Sequence, residues 1–277
     1  MTQAKIPEPD KAASGALIYM HIPKCGGTTV TSILTKAVPG ASHFMVDGND
    51  IAGSRIRLAS LPETERSRFR LLSGHLSFGW HALLFPARAQ YITLLRDPIA
   101  RVVSHYTHVC QHEDHYLHAV VMRERMTIGD YVESGITCEV NNGQVRQISG
   151  IEDIIQIPYG PSRLAYGIDH SAALEQAFNN IEDHFLLVGL LERFDAFLDA
   201  FKRITGIPLG AYRVRNVAKP DPAVYRPTRS EIDLIQRYNR QDCELYAYCK
   251  ARFEVLGEQL RKTPAGRRKW PLSARRN

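Results

Sequence analysis

A chain of 277 residues and 31.3 kDa, 44% hydrophobic and 23% charged, has the material for one sizeable core and the ordinary composition of a water-facing globular protein. No apolar run approaches the ~20 residues of a membrane span, and the first fifteen residues, with Lys5, Glu8, Asp10 and Lys11, lack the apolar stretch of a secretory signal. The net charge of +6 sits at one end: residues 261–277 carry seven of the 35 basic residues and no acid, leaving 28 against 29, so the charge reads as a solvated tail and not as a nucleic-acid-binding body.

The cysteines are five (Cys25, Cys110, Cys138, Cys243, Cys249), an odd number without CxxC spacing. That pattern favours free thiols in a reducing compartment, and the expected address is cytoplasmic. The expected organisation is a polar lead-in over 1–14, one domain over 15–257 and a basic tail over 258–277.

Leu17, Ile18, Met20 and Ile22 form a nearly continuous apolar run, as in a parallel strand covered on both faces. Val30, Ile33, Leu34, Ala37 and Val38 then recur at helical spacing, up to a stop at Pro39-Gly40. Between them lie Lys24, Cys25, Gly26, Gly27, Thr28 and Thr29, a cation, two glycines and two hydroxyls at a helix N-terminus. Free N–H groups and the positive end of the helix dipole make this an anion site, most naturally for phosphate.

Residues 43–46 read as a second short strand, and 50–69 as a polar helical region broken at Pro62. Leu71-Leu72-Ser73-Gly74-His75 reads as a strand that delivers His75 to its carboxyl edge, where open α/β sheets bind ligands. Residues 91–95 form another buried strand. Asp97 suits an N-cap and Pro98 the first helical position, so Arg96 stands at the sheet edge and Ser104 two turns into the next helix. Residues 107–170 are harder to read, with helical fragments near 127–134 and a polar stretch over 141–146. Residues 185–188 are a strand, and Phe194, Phe197, Leu198, Phe201 and Ile204 mark a helix ending at Gly206. Arg213-Val214-Arg215-Asn216 lies in a basic loop. Thr228 with Glu231 forms a capping box for a long last helix reaching about Leu256.

The loop is not a Walker A loop, because Lys24 precedes the glycines instead of following them, and no GxGxxG is present. Residues 104–118 hold His105, His108, His112, His115 and His118 with Cys110. On a continuous helix the first four would share a face that zinc could use. His112-Glu113-Asp114-His115 is not HExxH, however, and no metal is expected. Cys25 reads as a small filler, and Gln144 and Arg146 either position a ligand or belong to a buried network.

The order Pro-Lys-x-Gly-Gly-Thr-Thr resembles the 5′-phosphosulfate loop of sulfotransferases that use 3′-phosphoadenylyl sulfate (PAPS). Residues 95–106 resemble that family's 3′-phosphate motif, in which an Arg and a Ser eight positions apart hold the nucleotide's 3′-phosphate; these are Arg96 and Ser104 here. Gly74-His75-Leu76-Ser77-Phe78 is similar to a segment of the heparan sulfate 2-O-sulfotransferase branch in which the His is the proposed base. A second histidine of that branch is replaced by Ser73. Residues 142–150, 188–194 and 242–246 also look like that branch.

The resemblance implies an α/β fold with a central, mostly parallel sheet flanked by helices, of the P-loop nucleotide-kinase-like sulfotransferase type. It implies sulfuryl transfer from PAPS to an acceptor hydroxyl, carbohydrate included, with PAP as product. Lys24 would stabilise the leaving group, His75 would act as base, and residues 24–29 with Arg96 and Ser104 would hold the nucleotide. No nucleic acid, membrane span or metal enters. Two alternatives stay open: a nucleotide-dependent kinase on a related fold, and a non-catalytic nucleotide-binding protein.

Overall fold

The computed structural model describes residues 15–38, 42–84, 89–151, 167, 170–209 and 225–262. The lead-in over 1–14, the helix stop at Pro39-Gly40, the basic loop around Arg213 and the tail beyond 262 lie outside these residues.

Five parallel strands form one sheet in the order β2-β3-β1-β4-β5. They are β1 (Leu17–Met20), β2 (His43–Met45), β3 (Leu71–Gly74), β4 (Gln90–Leu95) and β5 (Phe185–Leu190). All of β1 and nearly all of β4 and β5 are buried, which is why they read as apolar runs and not as alternations. β1 lies at the centre, Leu17 level with Leu71 of β3 on one side and with Gln90 of β4 on the other. The chain fills the β3 side before crossing to β4, so the order reverses beside β1. Ligands of open α/β sheets bind outside the carboxyl ends at such a point.

Helices flank the sheet. α1 (Gly27–Ala37) turns Val30, Ile33 and Leu34 inward. α2 (Ile51–Ser60) is capped by Asp50, and α3 (Glu63–Arg66) starts after Pro62. α4 (Pro98–Gln111) has Pro98 in its first turn and Asp97 accepting from Ala100 N at 2.9 Å. With α5 (His118–Arg123), α6 (Ile128–Glu133) and α10 (Arg229–Tyr238), it encloses a second apolar cluster that includes Val102, Val109, Val121, Tyr131 and Ile235. α7 (Gly143–Ser149) is buried throughout, and α8 (Ser171–His184) leads into β5. In α9 (Phe194–Thr205), Phe197 and Phe201 are buried, each contributing roughly 1.5–3 kcal/mol.

The final helical region differs from expectation. The capping box of Thr228 and Glu231 is present, but the helix breaks at Asn239 and resumes as α11 (Arg240–Lys262), running past Leu256. The Asn239 side chain explains the break. It donates to Val140 O at 2.9 Å and accepts from Asn142 N at 3.0 Å, tying α10 and α11 to the start of α7. Among the described residues no helix is long and apolar enough to cross a membrane, and all five cysteines are free thiols.

Candidate active site

Three neighbouring carboxyl edges carry the candidate residues: β1 leads into Lys24, β3 into His75 and β4 into Arg96. The turn after β1 is tight. Lys24 has φ 66°, a left-handed conformation that costs about 1–2 kcal/mol for a residue with a Cβ, and Gly26 follows at φ 76° as the N-cap of α1. Gly27 is required by close approach, since a Cβ there would lie 1.8 Å from Cδ2 of His21. Gly26 offers no side-chain cap and the first turn has no acid; Thr29 N donates to Gly26 O at 3.2 Å, which leaves the N–H groups of Gly27 and Thr28 turned toward an anion. Thr28 is exposed beside them and Thr29 is buried.

Lys24 is half-buried, and burial with the nearby Arg96 pushes its ammonium pKa down. Arg96 donates from Nη1 to Lys24 O at 3.1 Å, binding the two loops together. Neither cation has an ion-pair partner among the described residues. The Arg96 main chain is gripped at both ends by Gln144, which accepts from its N–H and donates to its C=O, each at 3.0 Å. Cys25 points away from the open side toward Gln144 Oε1, and burial raises its thiol to about 12, so it packs and does not react. Its N–H donates to Ile22 O at 3.3 Å, closing the turn.

Gln144 is itself held in place. It begins α7, where Gln144 N and Val145 N donate to the Asp242 carboxylate at 3.1 and 2.8 Å. Asp242 in turn pairs with buried Arg101 at 3.6 Å. Arg146 is wholly buried, donating to Asn141 O and Asn141 Oδ1 at 2.7 Å each, so its part is structural. Ser104 is half-buried on α4 with no polar partner among the described residues.

His75 donates from Nδ1 to His21 O at 3.0 Å. A carbonyl only accepts, so Nδ1 carries the proton and Nε2 keeps its lone pair. Burial lowers the pKa of His75, opposed by Glu139 and by the hydrogen bond to His21, and the imidazole is neutral at pH 7. His21 stacks on it, ring centres 4.1 Å apart and planes 26° from parallel. Gln147, from α7, donates to His21 O at 3.2 Å and to Leu76 O at 2.8 Å, clamping both segments. Buried Glu139 meets His105 Nε2 at 2.9 Å; burial alone would raise its pKa, but His105, Arg101 and His75 hold it at about 2.

His21, Gln147 and Glu139 escape sequence reasoning. His21 stands three positions before Lys24, and only the parallel register of β1 and β3 shows that it lies level with His75. The histidine run also departs from expectation. α4 stops at Gln111 and His112 is extended, so no common helix face forms. His105 turns inward, while His108, His112 and His115 gather their rings, with centres 3.8 Å apart for His108 and His112. Burial and the charge of Lys24 bring His108 down to about 4. Among the described residues no group of three or more His, Cys, Asp or Glu could hold a metal.

Comparison with known proteins places the chain in a family. The heparan sulfate 2-O-sulfotransferase of Caenorhabditis elegans is 27% identical over 201 residues, 65% of this chain and 57% of that protein. A heparin sulfate O-sulfotransferase of Drosophila melanogaster is 24% identical over 269 residues, 88% of this chain and 73% of that protein. The model of the sulfotransferase family matches residues 12–188, a span holding Lys24, His75, Arg96 and Ser104. With well over half its length matched, the chain belongs to the sulfotransferase family.

Proposed function

We propose that this chain transfers a sulfuryl group from PAPS to the hydroxyl of an acceptor of the carbohydrate class. One observation carries the reading: an imidazole with a free Nε2 lone pair stands one strand away from a glycine loop that displays an uncompensated lysine. The names of the worm and fly relatives support a carbohydrate acceptor.

The residues present fit such a donor. PAPS has anionic groups at both ends, and the two unpaired cations Lys24 and Arg96 stand on adjacent strand ends. The loop of Cys25, Gly26, Gly27, Thr28 and Thr29 would hold the 5′-phosphosulfate at the N-terminus of α1, through the N–H groups of Gly27 and Thr28 and the Thr28 hydroxyl. Arg96 and Ser104 would hold the 3′-phosphate. When bound, PAPS supplies an electrophilic sulfuryl group on a PAP leaving group. His75 Nε2 takes the acceptor's hydroxyl proton as the new O–S bond forms. Lys24 offsets the negative charge that builds on the phosphate oxygen as the old S–O bond breaks; a nearby anion favours its charged form. By analogy with phosphoryl transfer, the transition state is loose and in line, so positioning and charge dominate.

The test is PAP release from PAPS with a panel of acceptors, desulfated heparan and simple glycosides among them. Lys24→Ala and His75→Ala should lose turnover with the fold intact by circular dichroism. Full turnover in both would overturn the mechanism. Calorimetry with PAP and ADP separates this enzyme from a kinase, because only a PAPS enzyme prefers the 3′-phosphate.

A further inference from the structure

His21 occupies the space between the donor loop and the base. Its N–H donates to Gly74 O at 2.9 Å, extending the β1–β3 register by one residue and setting it beside His75. One face of its ring stacks on His75 at 4.1 Å. Its Cδ2–Nε2 edge presses on Gly27, the first residue of α1, where an added Cβ would stand 1.9 Å from Nε2. No residue larger than glycine at position 27 is compatible with that ring. Neither ring nitrogen has a hydrogen-bond partner among the described residues, in a site where the neighbouring imidazole is anchored through Nδ1.

Charge constrains what this ring can do. Burial, His75 and Lys24 all push its pKa well down, so it is a neutral imidazole with one donor and one acceptor nitrogen. Lys24 lowers it further in a way that does not figure for His75, which makes His21 the poorer proton acceptor of the two. The pair thus divides into a base and a neutral donor.

We propose that His21 is a second catalytic imidazole, donating from Nε2 to an oxygen of the sulfuryl group held at Gly27 while His75 takes the acceptor's proton. This role rests on the sulfuryl-transfer reading above. The acceptor oxygen bonds to sulfur, the S–O bond to the phosphate breaks, the proton goes to His75 Nε2 and PAP leaves; His21 exchanges no proton. A neutral donor suits the place, because a second cation would repel the proton that His75 must accept.

Three proteins decide it: wild type, His21→Leu and His21→Gln, the last keeping an amide donor. PAP release is measured with PAPS and desulfated heparan, PAP affinity by calorimetry, and the imidazoles by ¹⁵N NMR with PAP alone and with PAP plus inorganic sulfate. His21→Leu should lose about 10²–10³ in kcat, the usual effect of removing one oxyanion donor, with PAP affinity unchanged. His21→Gln should recover part of that loss, and in wild type the His21 Nε2 signal should move when sulfate joins PAP. Wild-type kcat in His21→Leu, a loss confined to PAP affinity, or an unmoved Nε2 signal would overturn the role and leave the reaction standing. A wild type that neither prefers PAP to ADP nor releases PAP would overturn the reaction and the role with it.

Discussion

The Nδ1–H of His75 donates to the main-chain oxygen of His21, and this contact leaves Nε2 as the nitrogen able to take a proton. Because burial lowers the pKa of His75 from its ordinary 6.5, the imidazole is unprotonated through the neutral range. The sign follows: kcat/KM should be flat near and above pH 7 and fall in acid, with a midpoint below 6.5. His75→Ala should reduce kcat by about 10²–10⁴ and abolish that acid limb. Initial rates of PAP release across pH measure both.

Arg96 and Ser104 make a sharper test of the nucleotide. A hydrogen bond to a charged group contributes about 1.5–3 kcal/mol, so Ser104→Ala should weaken PAP by roughly 10- to 100-fold. ADP, without a 3′-phosphate, should bind Ser104→Ala as it binds wild type. Arg96→Ala should remove the preference for PAP more fully, since it takes away a full charge, and should also weaken ADP, because its Nη1 ties down the Lys24 carbonyl at 3.1 Å. Calorimetry on both nucleotides reads the outcome.

Legibility in the sequence follows locality. β1, β3, β4 and β5 are apolar runs bounded by turns, and the Asp97-Pro98 start of α4 is a local signal, so the sheet and its edge residues could be named in advance. α7 could not. It begins on Asn142 in a left-handed conformation and is capped by Asp242, a hundred residues away, and no local signal announces either. The break at Asn239 is hidden for the same reason. His21 and Glu139 belong to the site only because distant strands and helices bring them there.

Glu139 ties stability to pH. The residue is 7% exposed, and against an ordinary 4.5 its carboxyl is held at about 2 in the folded chain. A depressed carboxyl stabilises the fold above its unfolded pKa and loses that contribution as pH falls toward the folded one. The difference corresponds to on the order of 3 kcal/mol. Glu139→Gln should therefore be less stable than wild type at pH 7, with the gap closing between about pH 4.5 and 2. Urea unfolding at a series of pH values measures it. A gap independent of pH would assign the effect to packing instead.

Asp242 joins stability to the site itself. Its carboxylate accepts from Gln144 N and Val145 N and faces Arg101, a guanidinium 1% exposed. Removing one partner of a buried pair strands the other charge, at about 3–5 kcal/mol, a large share of the roughly 5–15 kcal/mol that holds a domain together. Asp242→Ala should consequently be poorly folded at 37 °C. Asp242→Asn keeps the volume and one acceptor and should fold with an intermediate loss. Its informative defect lies elsewhere: α7 carries Gln144, and Gln144 holds both ends of the Arg96 peptide. A folded Asp242→Asn protein should thus bind PAP more weakly than wild type while ADP binding changes less, although Asp242 touches neither nucleotide. Equal weakening for both ligands would instead point to a general loosening of the glycine loop through Cys25, whose thiol donates to the same Gln144 oxygen.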